Sequence, residues 1–365
     1  MSSWTRIQLG LLLLSSALAV ACSRSDKKDP GKASAEPAGV VAKAIGKGHV
    51  AKDSPWASRA ACQAELERRR ATQTRDSSPR MATWNVRYFP DGSEHGVEDQ
   101  PTDVDWLACS IALLDVDILA VQEFKADAPA QAAARELLQK LGDLTARSYR
   151  LELARCEPRN VQRPGLIYDE RRVTAKHLRD LPELNPDDKC SNSASPGFAS
   201  YVSFEGGPDF HLVVIHAYAG HGRREHEKRG QFLPALERSV SALARVVPDA
   251  DVVITGDFNT SGCSDCSPAI DGAAEARTLG ERVAKFAVPL RSVPSSGGCS
   301  FAGQKPALLD HFLVSASFRE LAHDASAVVS GFCAESNCRD VFPKAKAEAA
   351  LSDHCPLLLQ LQNGD

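Results

Sequence analysis

The sequence has no excess of basic charge: 43 Lys and Arg stand against 47 Asp and Glu, a formal net charge of −4. A global positive field drawing the whole chain to nucleic acid is thereby excluded. Any polyanion contact has to come from local clusters such as "ERRRATQTR" (67–75) and "GRREHEKR" (222–229), and runs of this kind are ordinarily solvated faces. The apolar run at 9–20 is too short to span a bilayer comfortably. No internal repeat is visible, which excludes a repeat architecture. The pair in "CSDC" (263–266) has no second CxxC or HxxxH to complete a zinc site. What is present is a globular composition, 43% hydrophobic and 25% charged over 365 residues, enough for one large α/β domain or two small ones.

The first residues do not belong to a fold. One Arg precedes the apolar run, which ends in Ala19-Val20-Ala21-Cys22. That pattern fits the h-region of a secretory signal and resembles a bacterial lipobox. Residues 1–21 are therefore expected to be removed and Cys22 lipidated, with plain signal cleavage beside an incidental Cys as the alternative. The Lys-, Ser-, Pro- and Gly-rich stretch at 23–39 cannot bury a core. Residues 22–75 are predicted to be a flexible tether and 76–365 the folded domain. Ser23 after the Cys points to the outer membrane of a Gram-negative cell, with the protein exported and held there only through its lipid anchor. Besides Cys22 there are ten cysteines, an even number that in an exported chain suggests disulfides. Cys333 and Cys338 are a plausible pair, and Cys355, opening an apolar strand, is a candidate buried thiol.

From about residue 80, short apolar runs alternate with helical stretches. Strands are predicted over 81–89, 117–124, 149–154, 165–169, 201–205, 210–218, 251–259, 308–315 and 355–362. Helices are predicted over 103–114, 129–142, 224–247 and 273–286, with Gly230 and Pro234 distorting the start of the third. Both β-β and β-α-β order occur, so a mixed sheet is expected.

Several strands that should be buried carry a polar residue with no packing reason: Asn85, Glu123, His216, Asp257 with Asn259, Asp310, and Asp353 with His354. Each alone has a bland reading as a capped turn or a satisfied core group. Buried carboxylates are expensive unless paired or metal-bound, and so many at strand ends point to one site at one sheet edge. Glu123 and Asn85 offer hard oxygens suited to Mg²⁺. Two histidines beside carboxylates suit donation to an oxyanion, and Asp257 suits a positioned water. Metal, donors and nucleophile are what in-line hydrolysis of a phosphate ester requires.

The ordered motifs "TWNV", "DILAVQE", "VVIHAY", "GDFN", "LLDHFLVS" and "SDHCPL" resemble the endonuclease/exonuclease/phosphatase superfamily, the deoxyribonuclease I-like proteins, over about residues 80–363. The resemblance implies a four-layer α-β-β-α sandwich of two packed mixed β-sheets flanked by helices, α/β (α+β) in class. It implies metal binding by Asn85 and Glu123, assisted by Asp353. It gives His216 as a phosphate donor, Asp257 as the residue that orients or activates water, Asn259 as a phosphate holder, and Asp310 as the partner that keeps His354 cationic. One departure stands out: related nucleases pair the first histidine with a Glu near 162–169, where this chain has Gln162 and Arg163.

The first reading is an exported, anchored, Mg²⁺-dependent phosphodiesterase and endonuclease, with Mn²⁺ or Ca²⁺ as alternative ions, acting as a monomer on DNA or RNA. Arg223, Arg224, Lys228 and Arg229 follow His216 closely and are placed to track a phosphate backbone. The rivals are a sphingomyelinase-like or phosphoinositide-directed lipid phosphoesterase, for which no amphipathic insertion loop is visible, and a non-enzymatic surface-binding domain on the same fold.

Overall fold

The computed structural model describes residues 50–72, 77–93, 101–157, 161–185, 197–248, 251–302, 305–339 and 346–363. The expected signal peptide, the Cys22 expected to be acylated and the sequence up to residue 49 lie outside the described residues, as does Cys190.

Chain order runs α1 (Arg59–Thr72), β1 (Arg80–Phe89), α2 (Val104–Leu114), β2 (Ile118–Phe124), α3 (Ala128–Thr145), β3 (Tyr149–Leu153), β4 (Arg163–Asp169), β5 (Val173–Leu181) and a 3₁₀ turn (Pro182–Leu184). It continues with β6 (Gly197–Phe204), β7 (Asp209–His216), α4 (Arg223–Leu243), β8 (Val252–Asp257), α5 (Gly272–Val283), β9 (Leu290–Ser292) and β10 (Asp310–Ser315). β11 (Val328–Val329), α6 (Gly331–Ser336), α7 (Lys346–Ala350) and β12 (Leu357–Gln360) complete it. The helix starts follow the caps. Asp103, Asp127 and Asp271 each accept a hydrogen bond from the backbone N–H three residues on, satisfying one of the orphan donors of a first turn.

Two mixed sheets result. The first has the order β11-β12-β1-β2-β4-β3 and the second β5-β6-β7-β8-β10-β9. The inner strands read as apolar on both faces because both faces are buried. Along β7, Phe210, Leu212 and Val214 join Val253 and Phe312 in the larger core cluster. Val213 and Ile215 join Phe232, Leu236, Leu279 and Val283 beneath α4 and α5. The same alternation holds in β8 and β10, where Val253, Phe312 and Val314 face inward and Ile254 and Leu313 face the helices. Helices α2 and α3 cover the first sheet. The four-layer sandwich expected from the sequence is therefore the fold.

Several expectations change. The folded domain begins well before residue 76: α1 is bonded to α2 through the Cys62–Cys109 disulfide, and buried Trp56 meets Trp84 edge-on at 6.1 Å. This segment looked like tether because its face toward solvent is Arg- and Glu-rich, with few apolar anchors between. Cys333 and Cys338 do not pair with each other; the bonds are Cys333–Cys355 and Cys299–Cys338, so Cys355 is not a thiol. Asn337 and Cys338 take left-handed φ values of 50° and 57° after α6. Cys263 and Cys266 bond each other, which removes them as zinc ligands, and Cys156 is also disulfide-bonded. Gly230 and Pro234, expected to distort the start of α4, both lie within its single span. Among the described residues no helix is long and apolar enough to cross a membrane.

Candidate active site

Strand direction gathers the polar residues. β1 and β2 are parallel, as are β7 and β8; Glu123, His216 and Asp257 sit at C-terminal strand ends, and Asn85 closes the regular pairing of β1 with β2. β10 and β12 run antiparallel to them, so the residues at or just before their starts, Asp310 and His354, reach the same edge. Asp257 is registered beside His216 on one side and Asp310 on the other. Gly256 makes this possible. Its φ of 136° suits glycine, and a Cβ there would lie 2.1 Å from the carbonyl oxygen of Ile215. Glu123 and Asn259 hold left-handed φ values of 62° and 50°, a conformation that costs energy for non-glycine residues and clusters at functional sites.

Side chains from both sheets meet on Asp257. His216 Nε2 lies 3.6 Å and His354 Nε2 also 3.6 Å from its Oδ2, while its Oδ1 accepts the Asn259 N–H at 2.8 Å. Asn85 bridges the sheets, donating from Nδ2 to Glu123 Oε1 at 2.9 Å and to Asp257 Oδ2 at 3.1 Å. Glu123 Oε2 accepts the Tyr88 N–H at 3.0 Å, and Glu123 Oε1 is 3.7 Å from His216 Nε2. His354 Nδ1 meets Asp310 Oδ2 at 3.0 Å.

Several supporting residues had no role from sequence. Ser352 donates to the Asn85 carbonyl at 2.7 Å and accepts the His354 N–H at 3.0 Å. Trp84 Nε1 donates to the His354 carbonyl at 2.9 Å, and Phe301 lies against the His354 ring at 5.0 Å. Ser352 and Trp84 stand inside the quoted motifs, so the motifs themselves were the available signal. Phe301 carried none.

Burial sets the electrostatics. It pushes Glu123 up to about 7, aided by the charge of Asp353, and it raises Asp257 as well, with Asp310 adding to the effect. Burial lowers His216 to about 3, and the charge of His354 works in the same direction. For His354 burial also opposes the charged form, but Asp310 and Asp257 outweigh it and raise the group to about 10. The site thus holds one neutral and one cationic histidine.

Glu123 and Asp353 form a hard-oxygen pair whose mutual repulsion a divalent cation would relieve, so the donor set fits such an ion. Asp257, Asp310 and His354 also offer three ligand atoms within 4.8 Å of one another, but the Asp310 contact occupies His354 Nδ1 and keeps the ring cationic, which suits donation better than ligation. Asn85 differs from expectation. Its Oδ1 accepts the Arg87 N–H at 3.0 Å and its nitrogen faces the carboxylates, so as oriented it supplies a donor.

Of the basic residues, Arg223 and Arg224 are exposed at the start of α4, with Arg223 Nη2 donating to the Asp265 carbonyl at 3.1 Å. Lys228 Nζ lies 3.9 Å from the Tyr218 ring centroid. Arg229 does not reach the cleft. It is buried and paired with Glu275 at 2.9 Å, because its place on the helix turns it toward α5. The departure noted near Gln162 is also visible. Arg163 donates to the carbonyls of Ala154 and Cys156 at 3.1 and 2.9 Å, and His216 Nδ1 finds no hydrogen-bond partner among the described residues.

The model of the Endonuclease/Exonuclease/phosphatase family matches residues 82–354. No curated protein matches the sequence. Among solved structures, an endonuclease/exonuclease/phosphatase from Bacteroides vulgatus is similar with a TM-score of 0.52 at 17% identity, over 79% of this chain and 100% of that one. Humanised D. rerio TDP2 carrying 14 mutations gives 0.50 at 15% identity, over 79% and 100%. The human nocturnin catalytic domain gives 0.49 at 17%, over 79% and 95%. With the motif residues gathered at the edge of two packed sheets and the family model spanning most of the folded part, the chain belongs to the endonuclease/exonuclease/phosphatase family of hydrolases.

Proposed function

We propose that the protein is an exported, lipid-anchored, Mg²⁺-dependent phosphodiesterase that cleaves nucleic acid. The observation that carries the hydrolytic reading is the placement of buried Asp257 between a neutral and a cationic histidine, each 3.6 Å from the same carboxylate oxygen. Burial raises the proton affinity of Asp257, which suits a base that takes a proton from an attacking water. The Asn259 N–H fixes the carboxylate. His354, held by Asp310, presents a charged N–H to a phosphoryl oxygen, and His216 presents a neutral one. Mg²⁺, when bound at Glu123 and Asp353, supplies charge neutralisation at the phosphoryl oxygens.

Arg223 and Arg224 support the polymeric substrate. They stand exposed on the helix that follows the His216 loop, where flanking phosphates of a chain, but not a lone lipid head group, would reward them. Export and anchoring rest on the sequence before residue 23. The test is a panel of plasmid DNA, RNA and sphingomyelin vesicles with the mature protein in Mg²⁺, Mn²⁺, Ca²⁺ or EDTA. Nucleic-acid cleavage that EDTA abolishes is expected; rapid sphingomyelin hydrolysis with intact nucleic acids would favour the lipid reading. Cys22→Ser should release the protein from the membrane fraction or block processing, and a mutant that fractionates and migrates as wild type would refute the anchor.

A further inference from the structure

A buried ion pair outside the catalytic cluster touches both loops that leave it. Arg229 uses all five of its guanidinium N–H groups. Nε donates to Glu275 Oε1 at 2.9 Å, and Nη1 donates to the carbonyls of Tyr218 at 3.0 Å and Gly220 at 2.6 Å. Nη2 donates to the Gly262 carbonyl at 2.9 Å and to Glu275 Oε2 at 3.0 Å. Glu275, on α5, accepts the Gly262 N–H at 2.7 Å and meets His226 Nδ1 at 2.8 Å.

The backbone partners have a common feature. Tyr218 and Gly220 lie on the loop that leaves β7 after His216. Gly262 lies on the loop that leaves β8 after Asp257 and Asn259. The loops also meet through Ser261 Oγ on the Gly220 carbonyl at 2.7 Å and the Ser264 N–H on the His221 carbonyl at 2.8 Å. Behind them is a cavity of about 90 Å³, bordered by Ala217, Phe258 and Thr260 from the loops and by Phe232 and Leu279 from the helices. Close packing, which fixes most buried segments, is incomplete on that side. The polar pair joins the Asn259 Nδ2 bond to the Ala217 carbonyl at 2.9 Å in holding the loops there. Replacing a buried ion pair by apolar groups often leaves stability unchanged or improved, so a purely stabilising role is a weak reason for one in this place.

We infer that Arg229 and Glu275 are positioning residues, which set the spacing of the two loops and with it the approach of His216 and Asn259 to the phosphoryl group. This rests on the phosphodiester reading above. Neither residue touches the reacting atoms.

The test compares wild type, Arg229→Lys, Glu275→Gln and the double variant on bis(p-nitrophenyl) phosphate with Mg²⁺. Arg282→Ala is the control, since its guanidinium bonds the Gly230 carbonyl on α4 at 3.3 Å. Assays run at a temperature where circular dichroism shows each protein fully folded, and hydrogen exchange follows the Gly262 amide and its neighbours. Each single variant is expected to lose about 10- to 100-fold in kcat per folded molecule, the scale of a modest misplacement. The double variant should lose little more, because one clamp is broken either way. Loop amides should exchange faster in the same variants, and Arg282→Ala should keep wild-type kcat. Folded variants with wild-type kcat would overturn the inference. So would failure of both single variants to fold, which would make the pair a determinant of the fold. If the wild type itself cleaves none of the phosphodiesters tried, the functional reading fails instead, and unchanged loop exchange would then refute the pair's hold on the loops.

Discussion

Two histidines approach Asp257 at the same distance, one from each sheet, and both are almost fully buried. Their second ring nitrogens differ. His354 Nδ1 has the Asp310 carboxylate at 3.0 Å; His216 Nδ1 has no partner among the described residues. Burial disfavours the charged form of both, yet one is raised to about 10 and the other lowered to about 3. Burial keeps His216 neutral, whereas the charges of Asp310 and Asp257 outweigh burial at His354. Each ring is positioned differently as well. Strand pairing of β7 on β8 places His216, while His354 hangs on the Trp84, Ser352 and Asp310 contacts.

The comparison is broken most severely by removing what both rings face. Asp257→Ala is expected to lower kcat on a phosphodiester by about 10³-fold or more, since it removes both the water's base and the charge between the rings. Steady-state rates with a circular dichroism check of folding decide this, and near-wild-type turnover would remove Asp257 from the mechanism. Asp310→Asn strips only His354 of its partner charge and should cost about 10²-fold in kcat, the scale of one disordered donor. A loss in KM alone would show that Asp310 serves binding and not His354.

Much of this site was legible in the sequence. Polar residues at the ends of strands with two buried faces are conspicuous, because such strands otherwise read as unbroken apolar runs. That pattern located Asn85, Glu123, His216, Asp257, Asp310 and His354 at one edge. It did not reveal the orientation of the Asn85 amide, which depends on the turn at Arg87. Arg229 stood in a basic run and looked like its neighbours Arg223 and Arg224; its burial depends on a Glu on another helix, 46 residues away. The disulfide partners and the docking of 50–72 also depend on contacts distant in sequence, where local pattern carries no information.

Smaller effects sharpen the picture at the rim and beside the site. Reversing both exposed cations, Arg223→Glu with Arg224→Glu, should raise KM for DNA about tenfold and flatten its salt dependence, with kcat little changed. An unaltered salt slope would place the polyanion contacts elsewhere. His311, next to Asp310, bonds Thr260 Oγ1 at 2.8 Å. Burial lowers it to about 4, although Asp310, Leu308 and Glu275 pull the other way. Its folded value lies below its unfolded one, so the unfolded chain binds the extra proton and stability falls as pH drops from about 6.5 toward 4. Urea unfolding at pH 7 and pH 4.5 should show His311→Gln losing roughly 2 kcal/mol less over that interval than wild type. An identical acid loss in both proteins would assign it to other groups.

The inequality of the two histidines is tested most directly by measuring kcat for His354→Gln and His216→Gln side by side on one phosphodiester with saturating Mg²⁺. Removing the cationic donor should cost about 10³-fold and removing the neutral donor about 10-fold to 10²-fold. Equal losses, or the greater loss in His216→Gln, would contradict it.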